Sequence, residues 1–348
     1  MARISIRAYI SFMKKIFLSL VVTIQFSSAQ SANDSIYHTD FKKEQSVPFF
    51  YIKTGVFIKS FSMLANYPLP FFGIGHFAQK DWITGTAFFV SEAGLYEITS
   101  KFHEEADKAS FNNYDNPTDR LYRNTKTSFA NNSYAFITQG VASYISMIDF
   151  YSAYRGLHNK TSSINKVTFN DDGVFSLVLS PFKPKYLFNP WVFVPVLSGA
   201  ALEYYFSNGS KPLSSAQNIM LFDKYYSPNN AAATFGAVNV PRYLLVASGE
   251  EMFFRGAIQT ELTEQYNPSI AIGTSSVLFG LYHFKDGPQK ILSATIAGIY
   301  FSYRYKNNGY DLGETIATHF WVDWINNLIE FYRNPRESNF VFGINWKF

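Results

Sequence analysis

The chain has 348 residues and a net charge of +4, too small a surplus to argue for a nucleic-acid surface, and no basic block concentrates it. Cysteine is absent, which excludes thiol catalysis, zinc–thiolate sites and disulfides. Aromatic residues make up 19% and charged residues only 16%, yet mean hydropathy is near zero, so polar loops must separate the apolar segments.

Lys14 and Lys15 precede an apolar core from Ile16 to Phe26, and the small residues Ser27, Ser28 and Ala29 come before Gln30. This order predicts a signal peptide over residues 1–29, with Met13 as an alternative start. Kept in place, the same segment is a signal anchor; its core is short for a stable span, which favours cleavage near Gln30. Residues 30–46 are polar. Pro68, Pro70, Gly73 and Gly75 then break a run of apolar residues, and Tyr67–Phe77 reads as a membrane-surface or re-entrant turn. Gly73-Ile74-Gly75 lacks the third glycine and the preceding strand of a dinucleotide fingerprint. A helix is expected at Trp82–Ile98, then a charged helix end and loop over 101–132, then an amphipathic helix at Tyr134–Leu157. Pro181, Pro184 and Pro190 mark a break near residue 186. The segment 30–186 is thus expected to be a membrane-associated helical region.

The C-terminal part is more regular. Apolar segments lie at 188–206, 231–249, 268–284, 291–303 and 312–331, several of them near the length needed to cross a bilayer. Gly273, Gly280 and Gly298 permit close helix packing. Residues 207–230 read as a polar loop. The tail Phe340–Phe348 alternates like a strand with aromatics on one face, and residues 333–348 are taken as an interfacial aromatic tail. The predicted fold is an all-α polytopic membrane bundle over residues 187–332, with the N-terminal helical region attached.

Ionisable residues inside such apolar segments are expensive and usually mark a site. Three groups qualify: Glu250-Glu251-Met252-Phe253-Phe254-Arg255, Phe279-Gly280-Leu281-Tyr282-His283, and His319-Phe320-Trp321-Val322-Asp323. Helix positions four apart share a face, so Glu251 can pair with Arg255 and His319 with Asp323. Glu250 lies about 100° around the helix from Glu251 and can face a cavity. His103-Glu104-Glu105-Ala106-Asp107 repeats the HxxxD spacing but sits in a charged segment. A carboxylate taken out of water holds its proton more tightly, which suits a base working near neutral pH.

The ordered set EExxxR, FxxxH and HxxxD resembles the CPBP family of intramembrane proteases, which includes the type II CAAX prenyl proteases and bacteriocin-processing enzymes. The resemblance implies peptide hydrolysis by an activated water. Glu250 is then the general base, His283 holds the water and passes a proton, and His319 donates to the oxyanion. Glu251 and Arg255 support the first helix. Family members often carry Asn where Asp323 stands; Asp323 is therefore either protonated, an orienting partner for His319, or a metal ligand. Glu250, His283, His319 and Asp323 also make a plausible set for a divalent metal such as zinc, so cofactor use stays open between none and a metal. The expected partners are membrane lipid and a peptide or protein substrate, with no nucleic acid, in a multi-pass protein of the bacterial inner membrane. The alternative is a non-catalytic scaffold or immunity-type binding protein on the same fold.

Overall fold

The computed structural model describes residues 72–111, 119–160, 166–169, 172–206, 212–338 and 340–346. The expected signal peptide and residues 67–71 of the expected turn at 67–77 lie outside the described residues; residues 72–77 form a turn that leads into and begins the first helix. Eleven α-helices follow one another among them: α1 (Ile74–Ala78), α2 (Trp82–Phe111), α3 (Asp119–Lys160), α4 (Val174–Val178), α5 (Pro184–Leu187), α6 (Pro190–Phe206), α7 (Pro228–Glu251), α8 (Thr260–Gln265), α9 (Pro268–Tyr282), α10 (Pro288–Asn307) and α11 (Leu312–Arg333). Between α7 and α8 the chain winds as a π-helix over Met252–Gln259.

Local chemistry sets these ends. Proline opens α5, α6, α7, α9 and α10, where its missing N–H costs no helical bond. The Asn267 side chain accepts from the N–H groups of Ser269 and Ile270 at the start of α9, and Asp311 accepts from Gly313 N at the start of α11. The expected C-terminal apolar segments all fall on helices. The expected charged helix end and loop at 101–132 is more helical than expected: α2 runs on to Phe111 and α3 begins at Asp119, with residues 112–118 outside the described ones. Charged and Asn-rich stretches propagate as helix once anchored at one end, because exposed polar side chains cost the helix little.

α7 and α11 run antiparallel and form the centre. Trp324 Nε1 donates to Gly236 O at 3.1 Å, and the Phe235 and Phe331 rings stack with centroids 4.0 Å apart. α3 lies across α7 and the π-helix, contributing Met147, Phe150, Tyr151 and Tyr154 to the main core with Phe253, Phe254 and Phe320. Gly256 has no space for a side chain, since a Cβ there would meet the Tyr151 ring at 2.5 Å.

Residues 207–230 are more than the polar loop expected from their composition. β1 (Ala216–Leu221) and β2 (Lys224–Tyr226) form a hairpin, and the C-terminal tail adds β3 (Val341–Trp346) antiparallel to β1, in the order β2-β1-β3. Ile219 stands opposite both Tyr226 and Ile344. The strand-like alternation of the tail is realised by this pairing, and the all-α bundle gains a small sheet. Ile219, Leu221 and Phe222 pack with Phe235, Phe331 and Phe340 over one end of α7 and α11.

The expected membrane spans need a correction. No helix among the described residues is long and apolar enough to cross a membrane. The most apolar helices are short: α6 has 17 residues and α9 has 15, about 26 and 22 Å of rise against a hydrocarbon core of about 30 Å. The longer ones carry charges, such as Arg242, Glu250 and Glu251 on α7 and Glu314, Asp323 and Glu330 on α11. The outer faces are nonetheless apolar. Trp191, Phe193, Val194 and Leu197 on α6, and Leu292, Ile296 and Ile299 on α10, are exposed.

Candidate active site

Glu250 and Glu251 are the last two residues of α7 before the π-helix, and both are buried. A π turn misaligns several backbone carbonyls, and side chains from neighbouring elements take them up. Ser275 Oγ donates to Phe254 O at 2.8 Å and Thr260 Oγ1 to Arg255 O at 3.2 Å; Gln259 Nε2 in turn reaches out to Ser302 O at 2.9 Å. Such turns recur at functional positions because the wider turn re-aims side chains.

Arg255 projects from this turn and is 0% exposed. Its NH1 donates to Glu251 Oε1 at 3.1 Å and its NH2 to Gly298 O at 3.2 Å. The guanidinium lies 4.4 Å from the Phe279 ring centroid and 5.2 Å from that of Phe301. A buried charge needs such compensation, since an unpaired one costs several kcal/mol, about 3–5 when a partner is removed. The pair expected from the i,i+4 spacing is therefore present.

His319 comes from α11 and is also buried. Its Nδ1 lies 2.9 Å from the same Glu251 Oε1, its Nε2 3.2 Å from Asp323 Oδ2 and 3.7 Å from Glu250 Oε2. Both ring nitrogens thus face carboxylate oxygens, the pattern of a ring that donates through both N–H groups. The ring stacks on Phe301 at 5.1 Å and meets Phe279 edge-on at 5.8 Å. Arg255 and His319 therefore share one carboxylate and two aromatic walls.

Glu250 differs from its neighbour. It is 1% exposed, and its Oε2 has no hydrogen-bond partner among the described residues. Glu251 Oε1 accepts from two cationic groups, while Glu250 Oε2 sees His319 only at 3.7 Å. Tyr144 on α3 and Tyr282 on α9, both partly buried, pack against the main core.

His283 stands apart from the other three catalytic candidates. It ends α9, and its direct polar partner is Asp286 Oδ2, 3.3 Å from Nδ1. Its ring is 5.3 Å from Phe279, and it interacts with Asp323 only through longer-range charge. The helix stops there because Gly287, at φ 94°, turns the chain toward Pro288. The decoy spacing of His103 and Asp107 lies on the exposed face of α2, where Lys108 pairs with Glu104 at 2.8 Å.

The side chains do not fit a metal ion in this arrangement. Both His319 nitrogens face carboxylates, His283 faces Asp286, and no group of three or more His, Asp or Glu among the described residues is arranged to hold one. Sequence reading missed Phe301 and the Gly298 carbonyl, which complete the Arg255 site. Gly298 had a packing signal in its small neighbours; Phe301 had none, being one aromatic among many.

No curated protein and no solved structure matches the chain. One family model does, over residues 234–325, and its description is type II CAAX prenyl endopeptidase Rce1-like. The matched stretch runs from α7 through the π-helix, α9 and α10 into α11, and so contains all three motifs. This family is one of membrane-embedded proteases. Over residues 234–325 the chain is therefore similar to the Rce1-like type II CAAX prenyl endopeptidases, in agreement with the CPBP-family resemblance of its motifs.

Proposed function

We propose that the chain is a membrane-embedded endopeptidase in which Glu250 activates a water for attack on a peptide bond. The observation that carries this reading is the contrast between two adjacent buried carboxylates. Glu251 accepts from Arg255 and His319 through Oε1 and leaves only Oε2 unbonded, whereas Glu250 accepts no side-chain hydrogen bond from either cation and faces His319 at 3.7 Å. A buried, unbonded carboxylate is costly to keep unless something polar binds it, and a substrate water meets that need. Glu250 takes the proton as the water oxygen bonds to the carbonyl carbon, then returns it to the leaving amine.

His319 acts as a fixed neighbour for Glu250, oriented by Glu251 on one side and Asp323 on the other. Of the three roles open to Asp323, its 3.2 Å contact with Nε2 favours orientation. His283, at the end of α9 with Asp286, is suited to proton exchange with the surroundings rather than to contact with Glu250. The apolar outer faces of α6 and α10 support a lipid-facing, multi-pass arrangement in which several short helices jointly cover the bilayer core. Residues 30–186 are then a membrane-associated region, whose described helix α3 packs against α7 and the π-helix, and residues 1–29 a signal peptide or anchor.

The test is cleavage of internally quenched peptides by the full chain reconstituted in lipid vesicles, compared with Glu250→Gln. Equal cleavage by both proteins sinks the enzyme reading and leaves the non-catalytic scaffold or immunity-type binder.

A further inference from the structure

A second arginine of α7 stands away from the candidate active site. The Arg242 guanidinium carbon lies 5.0 Å from the Tyr243 ring centroid, 5.4 Å from that of Phe136 on α3 and 5.7 Å from that of Phe340. Asn239, only 1% exposed, orients it: Asn239 Nδ2 donates to Phe235 O at 2.9 Å, and its Oδ1 accepts from Arg242 NH1 at 3.1 Å. NH1 also donates to the Tyr243 hydroxyl at 3.5 Å. Arg242 Nε and NH2 make no hydrogen bond, and the guanidinium makes no ion pair, among the described residues. Ring faces attract a cation but leave its N–H groups unused.

Arg242 lines a cavity of about 200 Å³ between α7, α11 and the segment that leads into β3. Asn327 and Glu330 of α11, its C-cap Asn334, and Ser338 line the same cavity. Arg242 and Glu330 share this space and yet do not pair. The level of the cavity in the fold points to its ligand. Arg333, next to Asn334, lies 4.6 Å from the Tyr204 ring near the end of α6, and Arg304 lies 4.3 Å from the Trp191 ring at its start. Between those rings the outer face of α6 exposes Phe193, Val194, Leu197 and Leu202. Aromatic rings beside arginines at both ends of an apolar face mark the two headgroup levels of a bilayer. The cavity lies at one of these levels, because Glu330 and Asn334 flank Arg333.

We propose that this cavity binds the headgroup of a zwitterionic phospholipid with a primary ammonium, of the phosphatidylethanolamine class. The phosphate accepts from Arg242 Nε and NH2, and the ammonium donates to Glu330. This rests on the membrane-embedded reading and not on Glu250 as base. A guanidinium fork matches phosphate oxygens, and an ammonium with N–H groups bonds a carboxylate where a trimethylated one cannot. An anion alone meets repulsion from Glu330 and a cation alone from Arg242, so the two charges together select a ligand that carries both. Asn327, whose Oδ1 has no hydrogen-bond partner among the described residues, adds a neutral polar group to the wall. The rings around Arg242 come from α3, α7 and the segment before β3, so the bound headgroup braces the helix that carries Glu250.

The test uses the full-length protein in dodecyl maltoside, a detergent with neither phosphate nor charge. Its unfolding temperature is followed as dihexanoyl-phosphatidylethanolamine is added below its micelle concentration. A saturable rise is expected. The phosphatidylcholine and phosphatidylglycerol analogues should bind about tenfold more weakly, each lacking one charge-assisted hydrogen bond. Arg242→Gln should abolish the rise. Glu330→Gln, at an exposed position, should erase the preference for phosphatidylethanolamine over phosphatidylglycerol, and it decides alone if Arg242→Gln does not fold. Equal affinity for the three lipids, or an unchanged preference in Glu330→Gln, overturns the assignment. An equal rise with inorganic phosphate makes this a free-phosphate site, and an equal rise with a short peptide bearing a free carboxylate makes it a peptide subsite; either result overturns the lipid assignment. Release of the wild type from vesicles by alkaline carbonate overturns the membrane-embedded reading and this assignment together. Retention in vesicles without a lipid preference in detergent overturns this assignment alone.

Discussion

Two buried histidines in this protein each lie between two carboxylates, and they do different work. His76 on α1 faces Asp81 at 3.4 Å and Asp149 at 3.6 Å. His319 on α11 faces Glu251 at 2.9 Å and Asp323 at 3.2 Å. Around His76 the carboxylates serve the backbone: Asp149 Oδ2 accepts from Gly73 N at 2.8 Å and ties the turn before α1 to α3. Gly73 sits at φ 67°, and a side chain there would collide with the Gly85 backbone of α2, so the turn has little freedom once held. Around His319 there is one more carboxylate than the neighbouring cations require. Arg255 and His319 occupy Glu251, Asp323 holds the far side of the ring, and Glu250 is left over. A histidine with acidic neighbours is therefore not by itself evidence of a reactive centre; what distinguishes the second cluster is a third carboxylate, Glu250, beside the ring.

The largest expected effect tests that surplus. Glu250→Gln keeps size and shape and removes the base, so cleavage should fall by about 10²–10⁴-fold while the unfolding temperature stays near that of the wild type. A matching substitution in the other cluster sharpens the contrast. Asp149→Asn should leave kcat for the same peptide within about twofold and lower stability by about 1–2 kcal/mol, the range for weakening a charge-assisted bond to Gly73. A large loss of kcat in Asp149→Asn would end the distinction between the two clusters.

Glu251→Gln should act first on folding. It leaves Arg255 and His319 facing a neutral amide in place of their shared carboxylate in a buried site, a loss of up to about 3–5 kcal/mol in thermal or denaturant unfolding. Recovery of a protein as stable as the wild type would show that Arg255 is neutralised elsewhere. A smaller effect is expected at Gly280, where α9 and α10 touch. A Cβ there would run into Thr295 Oγ1 and lie 2.8 Å from Ile291 O. Gly280→Ala should cost about 1–3 kcal/mol by overpacking, read as a fall in unfolding temperature. It should also lower kcat by displacing Phe279, which walls both Arg255 and His319; an unchanged kcat would place the site's rigidity elsewhere.

Much of the site was legible because helical periodicity is a local property. The i,i+4 spacing of Glu251 and Arg255, and of His319 and Asp323, predicts two contacts that the structure contains at 3.1 and 3.2 Å. The position of Glu250 about one residue's turn around the helix likewise predicts that it escapes the Arg255 pair. The five C-terminal helices were marked by their apolar runs. The same local reasoning underestimated the helix within 101–132, where a helix end and a loop were expected and α2 reaches Phe111 while α3 starts at Asp119.

What the sequence determined by itself is therefore what depends on residues within a few turns of one another: the C-terminal helices, their caps, and the two intrahelical ion pairs. The tertiary structure decided everything that depends on which helix lies beside which. It set His319 against Glu251 across two helices, turned His283 toward Asp286, and brought Tyr144 of α3 against Gly249. It also wound Met252–Gln259 as a π-helix, because Ser275 and Thr260 could take up the carbonyls that such a turn misaligns. Local spacing carries no information about these partners, since each contact is selected by packing and by the cost of leaving a buried polar group alone.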